Sequence, residues 1–204
     1  MDLRGTLFVT GTICLAEALL FTLYLKYGKF KHRDFMLGMH TWQGNEAVLD
    51  VGCGRGLLLA SVAKRLTAGH VTGIDVWSNK DMGSNSPDAT ERNLALEGVA
   101  ERCTLVSVDA GDMTFPKESF DVIVSNLCLH NIGSSQRSYA LNHIVRTLKP
   151  GGIAIISDYK LTGEYAAYFR RADLIVSRKR GSFLTTFPPL TVVIARKPPS
   201  APAL

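Results

Sequence analysis

The sequence predicts a single α/β domain, with a doubly wound and mainly parallel sheet, that follows a hydrophobic N-terminal helix. Short apolar runs alternate with helical patterns from residue 47 onward, as parallel βαβ units require. The run from Val48 to Val51 leads into a turn with glycines at 52, 54 and 56, and a second run ends at Asp75. A length of 204 residues suits one domain with its own core.

The first half of the domain is predicted to alternate between helices and strands. Leucines and small apolar residues after Gly56 recur on one helical face. Ser86 is a favourable N-cap, and Pro87 suits the first helical position. The predicted elements are a helix from Asp34 to Thr41, a strand from Ala47 to Val51, a helix from Leu57 to Leu66, a strand from Val71 to Asp75, and a helix from Pro87 that ends at Gly98.

The second half continues the same alternation. Pro150, Gly151 and Gly152 form a turn into the fifth predicted strand. Basic residues after the last helix favour an irregular segment, and the proline-rich end favours a disordered tail. The predicted elements are strands at Thr104 to Val108 and Asp121 to Ser125, a helix from Ser134 or Ser135 to Leu148, a strand from Ile153 to Ser157, a helix over 163–171, and a strand from Leu190 to Ala195.

The segment from Thr6 to Leu25 predicts a membrane-spanning helix. Its 20 residues match the thickness of a bilayer core. Ten Leu, Ile, Val or Phe side chains contribute about −3 to −6 kcal/mol to insertion, against a cost of about 3 kcal/mol for Glu17. A basic flank from Lys26 to Arg33 follows. The positive-inside rule then predicts a single-pass membrane protein whose catalytic domain is cytoplasmic.

Two alternatives for this helix stay open. It is apolar enough to pack on the α/β domain, as a cover for a ligand pocket, or on a partner helix. Thr6, Thr10, Cys14 and Glu17 would then form a weakly polar stripe along one face. It also resembles a cleaved signal peptide, although the run is long and lacks a clear cleavage site. The predicted division of the chain is a hydrophobic helix and basic flank over 1–33, a catalytic domain over 34–197 and a disordered tail over 198–204.

The glycine spacing predicts the kind of ligand. A dinucleotide site has the spacing G-x-G-x-x-G, with a pyrophosphate at the helix N-terminus. Here the spacing is G-x-G-x-G, and Asp50 lies two residues before the first glycine. A carboxylate at that position repels a pyrophosphate and favours a cationic ligand.

The order of motifs resembles class I S-adenosylmethionine-dependent methyltransferases, especially the small-molecule enzymes of ubiquinone and menaquinone biosynthesis. The resemblance covers roughly residues 45 to 160 and implies a Rossmann-like methyltransferase fold. After the glycine turn, it rests on Asp75, on Asp109 with Ala110, on the strand Phe120 to Ser125, and on the turn Leu148 to Gly152.

The resemblance implies S-adenosyl-L-methionine as the cofactor and assigns its contacts. Asp75 would accept hydrogen bonds from the ribose hydroxyls, and Asp109 from the adenine amine. Asp50 would orient the amino-acid portion. The other implied contacts are Gly52, Cys53, Gly54 and Gly56 at the turn, Val76, Trp77 and Ala110 at the adenine, and Asn126 near the methionine portion.

His130 is the first candidate for a general base, because it follows the fourth strand and its ordinary pKa lies near neutrality. Asp158 and Tyr159, at the tip of the fifth strand, are the next candidates. Methyl transfer does not require a strong base, since alignment of the nucleophile supplies much of the rate. The 77–86 loop covers the ligand or is a solvated connection, and the Phe187 to Pro189 segment is expected at the far wall of the pocket.

Composition narrows the classes of partner. The net charge of +5 is concentrated near residues 26–33 and 170–180, without the interleaved aromatics of a nucleic-acid groove, so we expect no nucleic-acid partner. Four scattered cysteines show no zinc spacing, and no metal site is expected. The expected acceptor is a small or lipidic molecule. Two other classes stay open: an inactive methyltransferase-like module that binds a membrane partner, and a nicotinamide-dependent oxidoreductase.

Overall fold

The computed structural model describes residues 2–78, 83, 85–182 and 186–200. Within these ranges the chain alternates helices with the strands of one sheet. The helices are α1 (Leu3–Leu23), α2 (Lys29–Leu37), α3 (Leu57–Ala63), α4 (Pro87–Leu96), α5 (Ser134–Thr147) and α6 (Thr162–Arg171). The strands are β1 (Ala47–Val51), β2 (His70–Asp75), β3 (Cys103–Ser107), β4 (Phe120–Asn126), β5 (Leu148–Asp158), β6 (Ile175–Arg180) and β7 (Thr191–Arg196).

The seven strands form one sheet in the order β3-β2-β1-β4-β5-β7-β6. Pairing is parallel from β3 to β5, and β7 runs antiparallel to both of its neighbours. Val48 and Val124 face the core beneath α2 and α3, whereas Leu49 and Ile123 face the core beneath α5 and α6. Because the central strands β1, β4 and β5 bury side chains on both faces, the middle of the sheet is covered on two sides. The predicted doubly wound α/β fold is therefore confirmed.

The structure corrects several predicted boundaries. The basic segment predicted to be irregular is strand β6, and all six of its residues pair with β7. Its exposed charges suit a sheet edge, where they discourage pairing with another chain. Strand β5 already pairs at Leu148, opposite Phe120. In the predicted tail, Gly151 N donates to the carbonyl of Pro198 at 3.3 Å, and residues 201–204 lie outside the described ranges.

Helices α1 and α2 form one continuous rod that is apolar along α1 and basic in the first turns of α2. A π-helical turn, Tyr24–Gly28, joins them without a break, so α2 begins at Lys29 and not at Asp34 as predicted. The stretch Leu3–Leu37 has a mean hydropathy of 1.8 in its most apolar window and is long enough to cross a bilayer. No residue of α1 is buried, and Phe21 near its end lines the cavity at the edge of the sheet, so both the membrane span and the pocket-covering alternative remain predictions.

Candidate functional site

A cavity of about 1900 Å³ opens at the carboxyl ends of β1, β2 and β4. Strand order reverses between β1 and β4, which is where open α/β sheets bind ligands. The cavity exceeds the size of a typical small-molecule pocket and has room for two ligands. It is lined by most of the predicted site residues, namely Asp50, Gly52, Cys53, Gly54, Gly56, Asp75, Val76, Asp109, Ala110, Asn126, His130 and Tyr159.

The glycine turn is fixed by backbone hydrogen bonds from β1 to β2. The amides of Gly52 and Cys53 both donate to the carbonyl of Ile74, at 2.8 and 3.0 Å. A Cβ at Gly52 would overlap the Cys128 side chain, and φ there is +74°. Packing against Cys128 therefore already requires a glycine at 52. The Cys53 side chain packs into the core beside Gly73, so its backbone is the part suited to meet a ligand.

Asp50 is a buried acid at the base of the cavity. Its side chain is 1% exposed, and neither carboxylate oxygen has a hydrogen-bond partner among the described residues. Burial, with a smaller contribution from the Asp75 carboxylate, raises the pKa of Asp50 to about 8. A buried acid of this kind is stabilised in its ionised form when a cation binds next to it.

Asp75 ends β2 with its carboxylate already oriented. Oδ2 accepts from Gly54 N at 2.9 Å, and Oδ1 accepts from Trp77 N at 2.7 Å and from Asn85 Nδ2 at 3.3 Å. A carboxylate offers about four acceptor positions, so Oδ2 retains capacity for one hydroxyl. Asn85 was not predicted, because its approach to Asp75 depends on the tertiary path of the 77–86 loop. Residues 79–82 and 84 of that loop lie outside the described ranges.

Trp77 does not fit the predicted adenine contact. Its indole Nε1 donates to Ser107 Oγ at 2.8 Å, and the ring packs beside the core under α3 and does not line the cavity. A positive φ of 55° at Trp77 turns its side chain towards β3. Val76, which is 56% exposed, does line the cavity.

The third and fourth strands supply two further polar groups to the cavity. Asp109 Oδ1 accepts from Gly111 N at 2.7 Å, which holds the loop after β3 around Ala110. Asn126 ends β4, and its Oδ1 is buried with no hydrogen-bond partner in the described part of the chain. Phe187 and Pro188 line the cavity as well.

His130 and Asp158 form a pair of which only His130 lines the cavity. Nδ1 of His130 lies 2.7 Å from Asp158 Oδ1, and the backbone amide of His130 donates to Oδ2 at 3.2 Å. The geometry of this contact falls short of a hydrogen bond, so it is a close electrostatic approach of the imidazole to the carboxylate. Burial raises the pKa of Asp158, and the charge of His130 opposes that rise.

Asp158 is fully buried and does not line the cavity. It therefore does not face the cavity as a direct base would, and it lies next to His130, which does. Tyr159 lines the cavity with its ring edge-on to the imidazole at 4.7 Å. Tyr165, which the sequence analysis missed, donates its hydroxyl to Asp158 Oδ2 at 3.2 Å. Its inward helical spacing with Ala166 and Phe169 indicated only core packing.

Among the described residues, no cluster of three or more His, Cys, Asp or Glu side chains is placed to hold a metal ion. The polar groups that line the cavity include the acids Asp50, Asp75 and Asp109 and the imidazole of His130. The acids suit a cationic nucleoside, and the imidazole suits proton transfer.

Comparisons with known proteins agree with this arrangement. A family described as a methyltransferase domain matches residues 48–152. A demethylmenaquinone methyltransferase of Tropheryma whipplei is 34% identical over 143 residues, which cover 68% of this chain and 51% of the relative. A ubiquinone/menaquinone biosynthesis C-methyltransferase of Methylococcus capsulatus is 34% identical over 118 residues, covering 57% and 44%. The chain spans about half the length of these relatives.

The solved structures extend the likeness in fold. The cyclase SpnF superposes with a TM-score of 0.70 at 19% identity, covering 84% of this chain and 81% of the other. At that identity the similarity shows the fold alone. A fold shared with a cyclase does not fix the reaction, which has to be argued from the site.

Proposed function

This chain belongs to the methyltransferase domain family, and from that premise we propose that it transfers a methyl group from S-adenosylmethionine to a small, hydrophobic acceptor. The observation that carries the proposal is that the glycine turn with its acids and His130, which lies next to Asp158, line one cavity. The first feature serves the donor and the second serves the acceptor.

The described residues fit the cofactor. S-adenosylmethionine carries a sulfonium and an ammonium group, and Asp50 offers a buried carboxylate that no described residue hydrogen-bonds. Asp75 retains room for a ribose hydroxyl, and the loop at Asp109 is held open by Gly111 N. The cofactor supplies an activated methyl group that needs no further activation by the protein. The G-x-G-x-G spacing of the turn differs from the G-x-G-x-x-G of a dinucleotide site, which argues against a nicotinamide cofactor.

His130 is proposed as the general base for the acceptor. Asp158 next to Nδ1 favours a proton on that nitrogen, which leaves Nε2 to accept a proton from the acceptor. Tyr165 and the amides of His130 and Tyr159 hold the carboxylate in place. This supported pair favours an enzyme over an inactive module, since binding alone would not require it.

The acceptor is proposed to be small and apolar, and dissolved in the membrane. Four apolar side chains from the end of the rod line the same cavity as the cofactor residues: Phe21, Tyr24, Leu25 and Phe30. Helix α1 exposes large apolar side chains along its length, with Phe8 76% and Leu15 74% exposed. Insertion of α1 into a bilayer would cover this surface and keep the cavity close to the acceptor.

Equilibrium binding tests the donor half of the proposal. Full-length protein should bind S-adenosylmethionine saturably, and Asp75→Ala should weaken binding by about 1–3 kcal/mol through loss of hydrogen bonds to a charged group. Glu101→Gln, a change at an exposed acid before β3, is the matched control and should bind as the parent does. Saturable binding of NAD with no response to S-adenosylmethionine would refute the assignment.

Fractionation tests the membrane half. The full-length chain should sediment with membranes, resist carbonate extraction and become soluble when residues 1 to 25 are removed. A full-length chain that stays in the supernatant after high-speed centrifugation without detergent would contradict the proposed span, while leaving the proposed methyl donor untouched.

A further inference from the structure

The direction of α2 determines where the apolar rod leaves the domain. His32 Nε2 lies 2.7 Å from Ser157 Oγ, near the carboxyl end of β5. Arg196, which pairs with Ile153 in the middle of β5 and so lies further from the carboxyl end, donates to the carbonyl of Met39 at 3.3 Å. Helix α2 therefore runs antiparallel to β5. The chain before Lys29 extends outward from the carboxyl edge of the sheet, which is the edge that holds the cavity.

The distance between this edge and the proposed span is short. The apolar run ends at Leu25, and Lys26 lies six positions before His32. At 1.5 Å per helical residue the separation is about 9 Å. The helix is continuous across these residues, so the carboxyl edge is held close to the surface of any bilayer that α1 crosses.

A second basic cluster meets the first at this edge. Gly181 lies against the His32 ring: a Cβ placed on this glycine would be 3.1 Å from Nδ1 of His32. Arg180 pairs with Thr191, which pairs with Asp158 at the carboxyl end of β5. Lys179 is opposite Val192, so it lies on the sheet face that α2 covers. These residues are far from the basic flank in sequence but adjacent to it in space.

The other arginines of that cluster lie elsewhere. Arg170 and Arg171 end α6, just before β6 begins level with Ile153 of β5. The sequence cluster near 170–180 is therefore split by the fold, and only its second part joins Lys29 and Lys31. Lys31, Lys179 and Arg180 are all exposed.

We propose that the carboxyl edge of the sheet docks on an anionic phospholipid surface, with Lys31, Lys179 and Arg180 contacting the head groups and the cavity opening towards the bilayer. The inference rests on the proposed membrane span of α1. Charge complementarity and the short rigid rod support this occupant. Docking in this orientation lets an apolar acceptor pass between the rod and Phe187 to reach His130 without crossing bulk water.

Lysine footprinting on full-length protein tests this orientation. The protein is incorporated into nanodiscs of phosphatidylcholine alone or mixed with phosphatidylglycerol, acetylated briefly, and analysed lysine by lysine by mass spectrometry. Lys179 should be protected in the mixed discs relative to the neutral ones. Lys117, an exposed residue before β4 at the opposite edge, should react equally in both.

Two matched charge reversals sharpen the test. Arg180→Glu should reduce the protection of Lys179, by roughly fivefold for each unit of positive charge lost near an anionic surface. Arg171→Glu makes the same charge change at the far edge and should leave the protection intact. Equal reactivity of Lys179 in both kinds of disc, or equal effects of the two variants, would overturn the docking proposal.

Failure of the premise is distinguishable from failure of the docking. A chain that does not incorporate into discs refutes the membrane span and this orientation together. A chain that incorporates but leaves Lys179 unprotected refutes only the orientation. Binding of S-adenosylmethionine, measured on the same preparation, reports separately on the methyl donor.

Discussion

Replacing Asp50 by an asparagine tests the most specific electrostatic feature of the site. With a pKa raised to about 8 by burial, this carboxyl is mostly protonated at pH 7. A cationic ligand that binds beside it favours the ionised form, so binding of S-adenosylmethionine should release a proton from this position. Asp50→Asn should release none from this position and should bind more weakly by about 1.5–3 kcal/mol, the cost of losing a hydrogen bond to a charged group.

Calorimetry in buffers of different ionisation enthalpy measures the proton release directly. The parent and Glu101→Gln should show the same release at pH 7, whereas Asp50→Asn should lack most of it. Binding by the parent without proton release, together with unchanged affinity in Asp50→Asn, would refute the role given to this acid.

The same variant has an opposite effect on the free protein. Because the folded pKa of Asp50 lies above the unfolded value, its contribution to stability falls as pH rises between about 4 and 8. The amide side chain of the variant carries no charge at any pH and escapes this loss. Ligand-free Asp50→Asn should therefore have a higher Tm than the parent above pH 8, and a lower or equal one there would contradict the burial argument.

Three individual contacts give the remaining predictions. Asp158→Asn removes the partner of His130 Nδ1 and should lower kcat by about 10²–10⁴ without changing the affinity for S-adenosylmethionine, and a similar loss of affinity would show a structural role. Gly52→Ala should destabilise the fold because the added Cβ overlaps Cys128. In a denaturant titration, the double variant with Cys128→Gly should recover part of the lost stability. No recovery would contradict the packing explanation. Burial lowers the pKa of His32 to about 4, so the free energy of unfolding should fall by up to about 3 kcal/mol as pH drops from 6.5 to 4. In urea titrations at several pH values, His32→Gln should lack this pH dependence. An unchanged pH dependence in the variant would assign it to other groups.

The sequence predicted the parallel part of the fold well, because glycine turns, caps and apolar runs are local signals. Strand β6 was not predicted, since its basic residues form a strand only by pairing with β7, a partner that comes later in the chain. Helix α2 was predicted to start too late for a related reason. Its register is set by His32 against Ser157, a contact 125 residues apart in sequence.

The sequence predicted most of the residues of the site, but not which of them contact each other or face the cavity. His130, Asp158 and Tyr159 were three separate candidates, and only the fold places Asp158 behind His130 as a supporting acid. Tyr165 could not be distinguished from a core residue by spacing. Position after a strand does not determine side-chain direction, and the indole of Trp77 reaches Ser107 in β3 and does not line the cavity.

Transfer of label from methyl-labelled S-adenosylmethionine to a component of a membrane lipid extract tests the central claim most directly. Full-length protein should produce a labelled, organic-soluble product, and His130→Gln should bind the donor normally while producing at least about a hundredfold less. Donor binding with no label transfer to any lipid or small-molecule fraction would contradict the proposed enzyme and favour a module that only binds the cofactor.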